Sequence, residues 1–229
     1  MPDITPIDYL AFGFYATSWA GYSLFADHSR WRERSIMKVM DDYRERWMLE
    51  MLKRDNRIVD STIISSLQNG AAFFASTTIL ALGGLIAGLG ASEEAIRVLS
   101  ALPYVEPGSA DAFRLKVLLL IVVMAYAFFK FAWTFRLQSY VAILLGAAPN
   151  DLDLTEDSKK LALRAGQISA LGARHFNRGL RAYFFALAAL AWFIHPLLFI
   201  AMTIYVLTVL HRREFRSKSL KVLHSEAVE

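Results

Sequence analysis

The sequence predicts an all-α, multi-pass bundle of transmembrane helices. Three observations carry this: 55% of the 229 residues are apolar, they gather into long runs, and the charges collect between those runs. The same composition excludes a disordered chain. The absence of cysteine excludes a disulfide framework, Cys-ligated zinc, iron–sulfur clusters and a thiol nucleophile. Net charge is +4, so the placement of charge matters more than its sum.

The first apolar run covers 7–26, close to the roughly 20 residues that cross a hydrocarbon core. Met1 to Asp8 has Asp3 and Asp8 but no Lys or Arg, so the run is expected to be an uncleaved span rather than a secretory signal. Residues 29–57 then carry a dense mixture of charges and are expected to form a cytoplasmic amphipathic helix. Its apolar stripe would be Ile36, Met40, Tyr43, Trp47 and Met51, with Asp42–Arg46, Arg46–Glu50 and Glu50–Arg54 paired at i,i+4 on the other side. Ile58 to Gly90 is one long helix by pattern, with the span at 71–90 and the polar first half projecting toward the cytoplasm.

Ala91 to Asp111 is read as a short outer connection, acidic apart from Arg97 and Arg-free elsewhere, with Pro103 and Pro107 as breakers. A third long helix runs from Ala112 to about Ala147 with its span at 112–132, and Lys130 and Arg136 snorkel at the cytoplasmic end. Residues 148–176 are a cytoplasmic helical segment, turned by Pro149-Asn150-Asp151 and capped by Asp153 or Thr155. The last apolar block, Tyr183 to Leu210, allows two outcomes. One helix kinked at His195-Pro196 makes four spans and puts the basic tail outside. A turn there makes a hairpin with legs at 177–194 and 196–212, hence five spans, with the N-terminus outside and the C-terminus cytoplasmic. The positive-inside bias favours five.

Several of these residues form a recognisable series: Arg46-Trp47-Met48 with Met51, Arg54-Asp55, Arg57-Ile58-Val59-Asp60, and Phe73 through Leu80. Lys130-Phe131, Trp133, Arg136, Pro149, Trp192, Pro196 and Arg213-Glu214-Phe215-x-Ser217 continue it. From about Tyr9 to Ser217 the chain resembles the membrane-protein family termed domain of unknown function 599. That resemblance implies a multi-pass integral membrane protein and no particular activity.

The strongest polar constellation lies at the start of the second long helix. Ser61, Ser65, Gln68 and Asn69 fall three or four apart, with Arg57 and Asp60 at the cytoplasmic end. Such a stripe should face protein or water, as interhelical contacts or as a solute path. Lys130 and Arg136 are candidate partners for Asp60, or else simply snorkel. Of the five histidines, His195 stands alone at the outer side, and His28, His175 and His211 have no metal-site spacing, so no haem, metal or other cofactor is expected. The acidic string Asp151 to Asp157 fails as a calcium loop, because Glu156 takes the glycine position and Ala162 that of the bidentate glutamate. Gly166, Gly172 and Gly179 make no dinucleotide fingerprint, and basic residues interleave with acids, which argues against nucleic acid as a partner. The expectation is therefore a non-enzymatic inner-membrane scaffold or accessory subunit, with the bilayer and a second copy or another membrane protein as partners. The alternative is a small-solute or ion channel along the polar stripe, although no inverted repeat supports it.

Overall fold

The computed structural model describes residues 4–101, 109–150 and 154–225, and among these the regular structure is entirely helical. The order is α1 (Pro6–His28), a 3₁₀ turn (Arg30–Arg34), α2 (Ile36–Leu52), α3 (Ile58–Gly90), α4 (Ser92–Ser100), α5 (Ala110–Ala147), α6 (Glu156–Leu190), a second 3₁₀ turn (Ala191–Phe193), α7 (Pro196–Phe215) and α8 (Lys218–Ser225). Local chemistry sets the ends. Thr5 and Asp8 form a reciprocal capping box ahead of α1, with Pro6 at its first position. Ser35, Ser109, Thr155 and Ser217 offer hydroxyl oxygens to backbone N–H groups at the starts of α2, α5, α6 and α8.

Among the described residues, three stretches are long and apolar enough to cross a membrane: Ile58–Gly90, Ala110–Ala147 and Pro196–Leu223. The first and fourth expected spans are not among them. Ser18, Thr17 and several glycines and aromatic residues dilute α1, and α6 runs free of charge only after Arg181. The connection after α3 contains a helix, α4, and the basic tail contains another, α8, which packs on α2. Both are short and charged, so no long apolar run announced them. Pro103, Pro107, Asp151 and Asp153, expected as breakers, turn and cap, lie outside the described residues.

The chain forms two compact units. The first comprises Met1–Arg30, Thr77–Ala127 and Leu180–Arg213. Its core is aromatic: Tyr15 lies 5.6 Å from Phe185 and 4.9 Å from Phe199, and Trp192 stacks on Phe199 at 5.1 Å. Here the break at His195-Pro196 is a reversal. The Arg213 guanidinium of α7 lies 5.5 Å from the ring of Phe184 in α6, whereas an unbroken helix from 184 to 213 would hold them about 40 Å apart. His195 Nδ1 accepts the Leu197 N–H at 3.1 Å and so starts α7. Lys116 Nζ donates to the Trp192 carbonyl at 2.9 Å beyond the end of α6. At the other end of the same helices, Arg181 pairs with Asp27 at 2.5 Å, both side chains largely buried.

The second unit comprises Trp31–Ser76, Phe128–Gly179 and Glu214–Glu229. Met48, Met51, Leu52, Ile64, Val141, Leu145 and Ala165 make its core. Here α2 departs from expectation. Its inward face includes Asp41, Met48, Met51 and Leu52, while Met40 and Tyr43 are each 37% exposed. The face is turned about one residue from the predicted stripe because it carries a charge, which a purely apolar periodicity does not see. The expected i,i+4 pairs give way as well. Asp42 pairs with Lys38 at 2.6 Å and Glu50 with Lys53 at 2.8 Å, because α2 stops at Leu52 and leaves Arg54 off the helix.

Candidate functional site

All eight residues singled out from the sequence fall in the second unit, where they divide into an inward group and an outward one. Arg57, in the bend between α2 and α3, donates to the carbonyls of Leu145 at 3.2 Å, Ala148 at 2.6 Å and Pro149 at 2.6 Å. A guanidinium thus satisfies orphan carbonyls at the C-terminal end of α5, where its charge also meets the negative end of the helix dipole. Asp60 opens α3 fully buried. Its Oδ1 accepts the Trp47 indole N–H at 2.6 Å and a guanidinium N–H of Arg54, while Oδ2 is buried with no partner. Lys130 and Arg136 were candidate partners for Asp60 or else snorkelling residues; the ion pair of Asp60 is made with Arg54. Trp47 and Arg54 both precede the helix in sequence and are brought onto Asp60 by the tight return of the chain between α2 and α3.

Gln68 continues the inward group, its amide donating to Ser139 Oγ of α5 at 3.1 Å. The outward group is Ser61, Ser65 and Asn69, all exposed. Ser61 Oγ donates to the Ile58 carbonyl of its own helix at 2.9 Å; the side chains of Ser65 and Asn69 make no hydrogen bond among the described residues. Arg136 is also exposed and donates through Nε to Tyr140 Oη at 2.7 Å, while Lys130 is half-buried. The stripe therefore does not converge on one interior path in a single chain. Arg57, Asp60 and Gln68 hold α2, α3 and α5 in register, and Ser61, Ser65 and Asn69 look outward.

Sequence reasoning missed the role of the α6 glycines. A Cβ at Gly166 would lie 2.9 Å from Glu45 Cα, one at Gly172 3.0 Å from Gln138 Nε2, and one at Gly179 2.6 Å from Phe131 Cε1. The interval of seven puts Gly172 and Gly179 on the side of α6 that meets α5, and that heptad interval was the available signal; Gly166, six residues earlier, is turned about 120° from them toward α2. Beside them lie buried polar groups: Thr134 Oγ1 donates to the Gly172 carbonyl at 3.2 Å, and Gln138 Oε1 and Ser169 Oγ are buried without partners.

A family model described as "Protein of unknown function, DUF599" matches residues 10–219. No curated protein and no solved structure matches the chain.

Proposed function

The chain belongs to the DUF599 family, whose description assigns no activity, and on that premise we propose that it is a multi-pass inner-membrane protein with a non-enzymatic role, an oligomeric scaffold or accessory subunit. Five spans, with the N-terminus outside and the C-terminus cytoplasmic, fit the charge distribution: the Lys and Arg residues outside the proposed cytoplasmic side are Arg97, Arg114 and Lys116. The reversal at His195-Pro196 supports the fifth span. The Arg181–Asp27 pair lessens the cost of placing α1 and the short leg of α6 at headgroup depth.

The observation that carries the oligomer is the face of α3. Only 6% of its most apolar stretch is buried, against 33% for α5. Leu80, Gly83, Gly84 and Ala87 are exposed, and a Cβ added at Gly83, Gly84 or Gly88 would meet nothing within 4 Å. Small residues at these intervals let two helix backbones approach in a bilayer, where packing rather than hydrophobicity drives association. The partner that fits is α3 of a second copy.

Because the chain has no cysteine, single cysteines report this contact without background. Leu80→Cys, Gly83→Cys and Ala87→Cys are expected to give disulfide-linked dimers in native membranes, with Leu85→Cys, on the other side of α3, remaining monomeric. Monomer at all four positions would defeat the proposal, as would dimer formation without helical periodicity.

A further inference from the structure

The second unit holds a charge imbalance that none of its described residues resolves. Asp41, on the inward face of α2, is 6% exposed. Three guanidinium groups converge on it. Arg174 of α6 reaches Oδ2 at 3.0 Å, Arg44 reaches Oδ1 at 3.4 Å, and Arg32 of the first 3₁₀ turn reaches Oδ2 at 3.5 Å. No other acid pairs with any of the three among the described residues. One carboxylate thus answers three cations, leaving two positive charges on side chains that are only 18–35% exposed.

The hydrogen-bond inventory is lopsided in the same direction. Each guanidinium carries five N–H donors, and each of these three places only one on Asp41. Arg174 Nε is buried with no acceptor. Beside them, the Asn177 amide, one turn along α6 from Arg174, is directed at the thioether of Met37, a weak acceptor. Burial pulls the Arg44 guanidinium below its ordinary pKa, Asp41 opposes that shift, and the neighbouring positive charge of Arg174 adds to it. Donors in excess, acceptors used up and cations crowded together describe a binding surface for an anion.

We propose that Arg32, Arg44 and Arg174, held in place by Asp41, form a binding site for a phosphate group. A tetrahedral oxyanion of charge near −2 matches both the residual charge and the several unused forks, since guanidinium groups bind phosphate oxygens in parallel pairs. Chloride or a single carboxylate would answer only part of either. Two sources share this chemistry, a phospholipid headgroup and free phosphate. The lipid source rests on the topology proposed above, which puts Arg32 just after the first span and Arg174 just before the fourth, at cytoplasmic headgroup depth. The site itself rests on the second unit alone.

The test uses the full chain in mild detergent, stripped of phospholipid, with inorganic phosphate titrated against chloride at constant ionic strength. A second arm measures retention of phosphatidic acid by native mass spectrometry after extraction from nanodiscs of phosphatidylcholine doped with that lipid. Arg174→Gln is expected to weaken phosphate or phosphatidic acid binding roughly tenfold, as loss of a charged hydrogen-bonding partner should. Arg174→Lys keeps the charge without the fork and should recover part of the loss. Asp41→Asn, which raises the net positive charge, should tighten binding, an outcome that a purely structural salt-bridge network would not produce. Binding of phosphate shows a soluble source, and retention of phosphatidic acid alone shows a headgroup; each supports the site. The proposal is overturned if neither arm depends on Arg174, or if folded Asp41→Asn binds no more tightly than the native protein. This result is independent of cysteine crosslinking on α3, so the site and the oligomer stand or fall separately.

Discussion

Gly166→Val is expected to destabilise the protein by about 3 kcal/mol, and Gly166→Ala and Gly179→Ala by about 1–2, the range for overpacked sites. The size follows from what a new side chain would meet. At Gly166 the obstacle is the Glu45 backbone, 2.9 Å from the added carbon, and it yields only if α2 and α6 separate. At Gly179 the obstacle is the ring of Phe131, fully buried and enclosed by Phe74 at 5.2 Å and Phe176 at 5.4 Å, so it has nowhere to turn. Replacing glycine by alanine inside a helix is worth up to about 1 kcal/mol in the opposite direction. Gly70→Ala isolates that gain, because nothing lies within 4 Å of its added carbon. In thermal unfolding of the detergent-solubilised protein, Gly70→Ala should melt at or above the native temperature and the three α6 variants clearly below it. If Gly166→Ala behaved like Gly70→Ala, the close contact of α6 with α2 would be wrong.

Removing Asp60 has the second largest expected effect. Asp60→Ala should cost about 2–3 kcal/mol, because it opens a small cavity and strands the Trp47 indole N–H that the carboxylate accepts. The ion-pair part is smaller than the burial of Asp60 alone suggests. Arg54 is 42% exposed and recovers water when its partner is lost. Trp47→Phe is therefore expected to cost at least as much as Arg54→Gln. Asp60→Asn, which keeps an acceptor for the indole, should cost less than Asp60→Ala. Denaturant or thermal unfolding of the four single variants checks this order. Arg54→Gln proving the most damaging would transfer the weight of the site to charge.

These residues also show where the sequence was legible. Ile58 to Gly90 and the helix ending at Ala147 were readable because long apolar runs with no breaker have few alternatives. The reversal at His195-Pro196 was readable because proline cannot donate to a continuing helix and the charges beyond it require a direction. The inward face of α2 was not, because Asp41 and Arg44 belong to it, and a pattern of apolar residues points instead to Met40 and Tyr43. Trp47 and Arg54 as partners of Asp60 depend on how the chain turns between α2 and α3, which local periodicity does not contain. For the α6 glycines, the spacing was visible, but the helices they admit are distant in sequence. Asp60, Arg57 and Gln68 were legible in the sequence as polar residues needing partners; the identity of those partners came only with the fold.

The most direct test of the five-span architecture is sided labelling of single cysteines in this cysteine-free chain. Asp3→Cys and Glu229→Cys would be treated with a membrane-impermeant maleimide in intact spheroplasts and again after permeabilisation. Opposite sides are predicted, with Asp3→Cys labelled in intact spheroplasts and Glu229→Cys only once they are opened. Labelling of both positions from the same side would contradict five spans and restore a single crossing from α6 to α7.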